Sequence, residues 1–164
     1  MNEQGHNRRA DPQKSLVGFL VGDVHYALDI ARVREIVNPL PVTPLPHTPA
    51  EVSGVADHRG EVVPILDLRA RFGLPGAESR SKKWILVRTP NGAVGLVVDA
   101  VTEVFGLGGD ELMPVPEVGG TKDGRGLAGG VTHAGRLTFV LDASRFVEVV
   151  DSLAASGALP GSAP

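Results

Sequence analysis

The chain says the same thing twice, and no other feature restricts its fold as much. A single offset of 68 residues carries Ala27 onto Gly95, Val33 onto Val101, Glu35 onto Glu103 and Ile36 onto Val104. The shared core is Val-x-Glu followed by two apolar residues. A second match comes in the same order: residues 60–72, Gly-Glu-Val-Val-Pro-Ile-Leu-Asp-Leu-Arg-Ala-Arg-Phe, against residues 135–146, Gly-Arg-Leu-Thr-Phe-Val-Leu-Asp-Ala-Ser-Arg-Phe. It needs one deletion after the Leu-Asp pair. Each half therefore reads hairpin, Val-x-Glu segment, variable loop, Gly-led strand and an aspartate-capped turn. A unit of about 60 residues makes only a marginal core alone. Two of them are expected to pack side by side and share an apolar interface, with a groove between.

The fold class follows: mainly β, two small β-barrels packed together, with short helices including a C-terminal one. The 21 glycines and 13 prolines, with only 4% aromatic residues, favour short strands and tight turns over long helices. Residues 1–15 read as a disordered polar tail, 16–150 as the folded part and 151–164 as a flexible tail. The halves divide at about 83/84, with exchange of terminal strands between them left open. Within the second half, Asn91-Gly92 is a hairpin turn, and residues 106–126 form a glycine-rich loop with a short turn at 111–113. Phe146, Val149, Val150 and Leu153 have helical spacing behind Asp142, a candidate cap.

Several readings concern residues 54–72. Arg59 lies on a glycine-bounded turn, Asp57-His58-Arg59-Gly60. Pro64 sits inside the apolar run that follows, and a proline cannot donate to a ladder, so this strand is expected at an edge or at a bulge. An arginine beside an edge strand is a place for a partner to dock; a solvated hairpin is the plainer reading. Five prolines between residues 38 and 49 exclude a helix there, and a short helix is expected to start near Thr48. Residues 31–37 carry both helical spacing and β-branched content.

The chemistry classes narrow quickly. A formal charge of −3 and a pI near 5.9 give no basic footprint for nucleic acid. With no cysteine, disulfides, thiolate catalysis and cysteine zinc sites are all excluded. No run approaches the roughly 20 apolar residues of a membrane span, and the N-terminus lacks a signal-peptide core, so a cytoplasmic protein is expected. The five histidines have no metal-ligand spacing, and no serine sits in a Gly-x-Ser-x-Gly context. The run at 119–126 lacks the phosphate-loop pattern. Asp67 and Asp142 read as caps, and Arg69 and Arg71 as an anion site or a solvated face. No catalytic set, metal or cofactor is expected. An interaction module using edge strands and a cleft is the better fit.

Several ordered blocks carry a family resemblance over about residues 16–150. These are Tyr26-Ala27-Leu28-Asp29-Ile30 with Val33-Arg34-Glu35-Ile36, then Gly54-Val55 followed by Arg59-Gly60. Val63-Pro64-Ile65-Leu66-Asp67-Leu68-Arg69 and Gly95-Leu96-Val97-Val98-Asp99 complete the set. In them the chain resembles the CheW family of chemotaxis coupling proteins. The resemblance implies two SH3-like five-stranded barrels and no catalytic activity. It implies two partners, the cytoplasmic tip of chemoreceptors and the regulatory domain of a CheA-type histidine kinase, in receptor–kinase clusters. By matching position, Val33, Glu35 and Ile36, Gly54 and Arg59, Ile85, Gly95, Val101 and Val104 are the implied partner-binding residues. The family turn is usually Asn-apolar-Arg-Gly. Here Asp57 brings a negative charge close to Arg59, and His58 puts a titratable group on the surface. These departures keep open a divergent paralogue that binds another signalling protein or a small ligand.

Overall fold

β-Branched runs separated by tight turns become strands throughout. The computed structural model describes residues 15–77, 80–90, 92–107, 112–114, 126–155 and 157. The polar N-terminal tail, Asn91 of the expected hairpin turn, residue 111, the glycine-rich run at 119–125 and most of the C-terminal tail lie outside them. The elements are β1 (Ser15–Val21), β2 (Val24–Asp29), a 3-10 turn (Ile30–Arg32), β3 (Val33–Val37), β4 (Val52–His58), β5 (Glu61–Asp67) and α1 (Leu68–Arg71). They continue with β6 (Lys83–Thr89), β7 (Gly92–Val98), β8 (Ala100–Gly106), β9 (Leu127–His133), β10 (Arg136–Leu141) and α2 (Ala143–Ala155). The ambiguous segment at 31–37 satisfies both of its signals in turn. Asp29 caps the 3-10 turn by accepting from the Ala31 N–H at 2.9 Å, and the β-branched residues then run on as β3. The helix expected near Thr48 does not form; that stretch is a turn leading into β4.

The strands make two five-stranded sheets, ordered β8-β1-β2-β10-β9 and β3-β6-β7-β5-β4. The repeat carries β1–β5 onto β6–β10, and this mapping turns the first order into the second. Each half of the sequence therefore lends its opening hairpin to one sheet and its last three strands to the other. Register obeys the same symmetry. Ala27 faces Val140 across the parallel β2–β10 pair, and its counterpart Gly95 faces Ile65 across β7–β5. The bulge in β3 against β6 recurs in β8 against β1.

Pro64 does not mark an edge. β5 lies between β4 and β7. Val55, opposite Pro64, turns its N–H and C=O outward to Thr43, at 2.9 and 2.8 Å. Val55–Pro64 is therefore a non-hydrogen-bonded pair on the β4 side. The ladder to β7 starts only at Ile65. The missing donor falls where no ladder bond is made, so an interior strand tolerates the proline. The proline-rich connection also lies along β4 through Thr43 and covers part of its outer edge.

The largest core lies between the sheets. Phe19, Tyr26 and Leu28 come from the first, Leu66, Ile85 and Leu96 from the second, and Phe146 and Leu153 from α2. The Tyr26 ring stacks between Phe19 and Phe72, with centroids 5.9 and 4.9 Å away. Val149 and Val150 pack on the same core, which explains the helical spacing read from the sequence. Both aspartate caps form: Asp67 accepts from the Arg69 N–H at 3.0 Å and Asp142 from the Ser144 N–H at 3.1 Å.

Arg69 and Arg71 form neither an anion site nor a solvated face. Arg71 is mostly buried, pairs with Glu51 and places its guanidinium 5.0 Å from the centroid of the Phe146 ring. Arg69 holds Asp99 at 3.0–3.1 Å, and Asp99 also accepts from the Gly22 N–H at 2.7 Å. This carboxylate thus ties the β1–β2 turn of the first sheet to α1 behind the second. Burial alone would raise the Asp99 pKa, but the hydrogen bonds from Arg69 and Gly22 outweigh it and hold the group below the usual carboxylate value. The same hydrogen bond raises the Arg69 pKa. A lowered folded-state pKa stabilises the native state above the unfolded value of about 4, and that contribution is lost as pH falls through the lower native value. Asp99→Asn is therefore expected to flatten the acid limb of stability below about pH 4. Urea unfolding at stepped pH checks this; an unchanged slope contradicts it.

Candidate functional site

The two edge strands of the second sheet, β3 and β4, are joined by side chains. On β3, Arg34 and Glu35 face the hairpin that links β4 to β5. The turn itself is set by local chemistry. The Asp57 carboxylate accepts from the Gly60 N–H at 2.8 Å, and Arg59 and Gly60 take left-handed φ of 55° and 83°. This aims the Arg59 side chain back across the barrel opening, where its guanidinium forks onto Glu35 at 2.9 and 3.3 Å. His58 Nε2 lies 3.7 Å from Oε1 of the same carboxylate, and Arg34 pairs with Glu61 at 3.0 Å. Arg59 remains 74% exposed at its side chain, whereas Glu35 is 28% exposed. An exposed pair of this kind adds about 0–1 kcal/mol to stability, so its main effect is to hold a cation at a fixed place on the surface.

The first sheet carries the same closure without the arginine. His133 bonds Glu103 at 2.9 Å and stacks on Phe105 at 3.8 Å between centroids. Glu103 corresponds to Glu35 and His133 to His58. Ala134 stands at the Arg59 position with the same left-handed φ, 53°. The frame is thus common to both barrels, and Arg59 is an addition to one of them. The sequence-derived set omits Glu103, His133 and the exposed Val62 and Leu137. The repeat was the signal that could have found them, because it carries His58 onto His133 and Val62 onto Leu137.

The nine residues implied by the family resemblance fall into three environments. Glu35 and Arg59 meet at one corner; Ile36, next to Glu35 on β3, is exposed, and Val62 on β5 is a second exposed apolar side chain of this barrel. Val104 occupies the equivalent corner of the first barrel and is exposed. Val33 and Val101 are half-buried against the shared core. Gly54, Ile85 and Gly95 are buried. Ile85 is fully enclosed in the shared core, and a side chain at Gly95 would meet Ile65 and Leu86. Of the two departures in the turn, Asp57 stays exposed and keeps its charge near Arg59 while it accepts from Gly60, whereas His58, with its side chain only 10% exposed, faces the clasp and not the surface as expected.

Two side-chain-closed five-stranded barrels packed on one shared core define the fold class of a coupling-type scaffold. The chain belongs to the CheW-like domain family, whose sequence profile matches residues 15–151. It is 40% identical over 106 residues to the chemotaxis protein CheW of Rhizobium meliloti, covering 64% of this chain and 68% of that one. With the chemotaxis protein CheW of Klebsiella aerogenes it shares 31% identity over 144 residues, 84% of this chain and 87% of the relative. The crystal structure of the scaffolding protein TtCheW from Thermoanaerobacter tengcongensis superposes with a TM-score of 0.70 at 31% identity, covering 78% of this chain and 83% of that one.

Proposed function

We propose that the chain is a non-catalytic coupling protein of a chemotaxis pathway. It joins the cytoplasmic tip of a chemoreceptor to the regulatory domain of a CheA-type histidine kinase. The observation that carries this is the exposed Arg59 held on Glu35, with Ile36 exposed beside Glu35 on β3. Burial and packing do not require an arginine there, since the equivalent barrel closes with Ala134 instead. Arginine is one of the residue types on which interface energy concentrates. The alternative of a different partner class rested on Asp57 and His58. His58 is buried in the clasp and Asp57 sets the turn that presents Arg59, which favours the receptor–kinase reading. Among the described residues no helix is long and apolar enough to cross a membrane, in keeping with a protein that reaches the membrane through its partners.

Calorimetric titration against the regulatory domain of the organism's own CheA-type kinase tests the site. Arg59→Glu and Ile36→Asp are each expected to weaken binding at least tenfold while the melting temperature stays within a few degrees, because both side chains are exposed. If both folded variants bind like the parent, the corner is not the kinase contact.

A further inference from the structure

The two clasps differ in where their histidine sits. In the first barrel, with Ala134 at the arginine position, His133 Nε2 bonds Glu103 at 2.9 Å. In the second, Arg59 holds both oxygens of Glu35, and His58 Nε2 stays 3.7 Å from Oε1. The His58 side chain is only 10% exposed, yet its ring makes no hydrogen bond among the described residues. The arginine occupies the glutamate, and the histidine stands behind it without a bond. Phe105 also stacks on His133, whereas the repeat puts Val37 at the Phe105 position of the second barrel. Removing the arginine alone therefore separates its effect from that of the stacked ring.

The charges around His58 balance only while Arg59 stays in place. On β3 they are Arg34 and Glu35. Opposite His58 on β5 is Glu61, which Arg34 pairs at 3.0 Å. Asp57 and Arg59 flank His58 in its own hairpin, where Asp57 accepts from the Gly60 N–H at 2.8 Å. Among these groups Glu35 is matched by Arg59. The Glu35 side chain is 28% exposed, against 48% for Glu103, so water reaches its charge less when the arginine leaves. Arg59, 74% exposed, can be drawn away by a carboxylate outside the chain, because a guanidinium fork fits any carboxylate in the same two-bonded way. A protonated imidazole 3.7 Å from Glu35 can then take the arginine's place.

We infer that His58 is a reserve counter-ion that links partner binding to proton uptake. A carboxylate of the kinase takes the two Nη atoms of Arg59, Glu35 closes onto His58, and the imidazole gains a proton from solvent. The first barrel already holds the arginine-free arrangement, with His133 on Glu103. Binding that takes up a proton tightens as pH falls and weakens as pH rises. The partner surface that fits is acidic, and its hold on Arg59 is firmest on the acid side of neutrality. This inference rests on the reading of Arg59 as the kinase contact.

Calorimetric titration of the full chain with the organism's full-length CheA-type kinase tests it, between about pH 6 and 8 and in phosphate and Tris, whose ionisation heats differ. The parent is expected to take up more proton on binding than His58→Leu, the variant with the apolar residue usual in the family turn. Between about pH 8 and 6 the parent should also gain at least threefold more affinity than that variant. His58→Gln replaces it if the leucine variant does not fold. Arg59→Gln should bind about tenfold more weakly than the parent and take up no more proton than His58→Leu. In a crystal structure of Arg59→Gln, His58 Nε2 should lie within hydrogen-bond distance of Glu35, as His133 lies from Glu103. If Arg59→Gln binds like the parent, the kinase contact at Arg59 falls and this inference with it. If Arg59→Gln binds weakly but the parent and the His58 variant take up the same proton, the contact stands and the proton link is overturned. A His58 ring that stays out of hydrogen-bond distance in Arg59→Gln overturns it equally.

Discussion

Gly54→Ala is expected to destabilise the protein by about 3 kcal/mol. Gly54 has a φ of 143°, a region that residues with a side chain rarely adopt. A Cβ there would also overlap the carbonyl oxygen of Thr43 and lie 2.9 Å from Pro44 Cα. Those are backbone atoms of the connection that pairs with β4 through Thr43 and Val55, so relief requires that connection to move away. Denaturant unfolding measures the loss. A second signature separates the mechanism from a general weakening: the Thr43 and Val55 amides should lose hydrogen-exchange protection before the amides of β6 and β7. A variant within 1 kcal/mol of the parent would show that the connection yields easily.

Ile85→Ala is expected to cost about 2–5 kcal/mol, the range for truncating a fully enclosed aliphatic side chain. Ile85 is 0% exposed and packs in the core that both sheets share. Its loss should lower one transition seen alike by near-UV and far-UV circular dichroism, because the barrels have no independent large core. A split into two transitions would mean that each barrel folds by itself. Under conditions where Ile85→Ala is folded, kinase affinity should match the parent's, in contrast to Arg59→Glu. This assigns Ile85 to packing and leaves the exposed corner to carry the contact.

Much of the architecture could be read from the repeat, since short β units of one kind, repeated in order, leave few packings. The reciprocal exchange of hairpins could not. Hydrophobic alternation reports which face of a strand is buried and is silent on its neighbour, so nothing in residues 24–29 names β10 as the partner of β2. Pro64 misled for a related reason. A missing N–H excludes a ladder bond but not an interior strand whose ladder begins one residue later. Arg69 and Arg71 looked solvent-facing because their acceptors, Asp99 and Glu51, are distant in sequence. At the site, Arg59 stood out on its turn, whereas its partner became visible only in three dimensions. Glu35 is 24 residues away, and no periodicity links a β3 carboxylate to that turn.

The central claim is that this chain couples a receptor to a kinase, and reconstitution tests it most directly. Kinase autophosphorylation is measured with the organism's CheA-type kinase and a receptor cytoplasmic fragment, with the chain present, absent or replaced by Arg59→Glu. The account predicts that the receptor changes kinase activity only when the chain is present, and that Arg59→Glu removes most of that control while remaining folded. Equal receptor control in the absence of the chain, or a chain that co-sediments with neither partner, would contradict it.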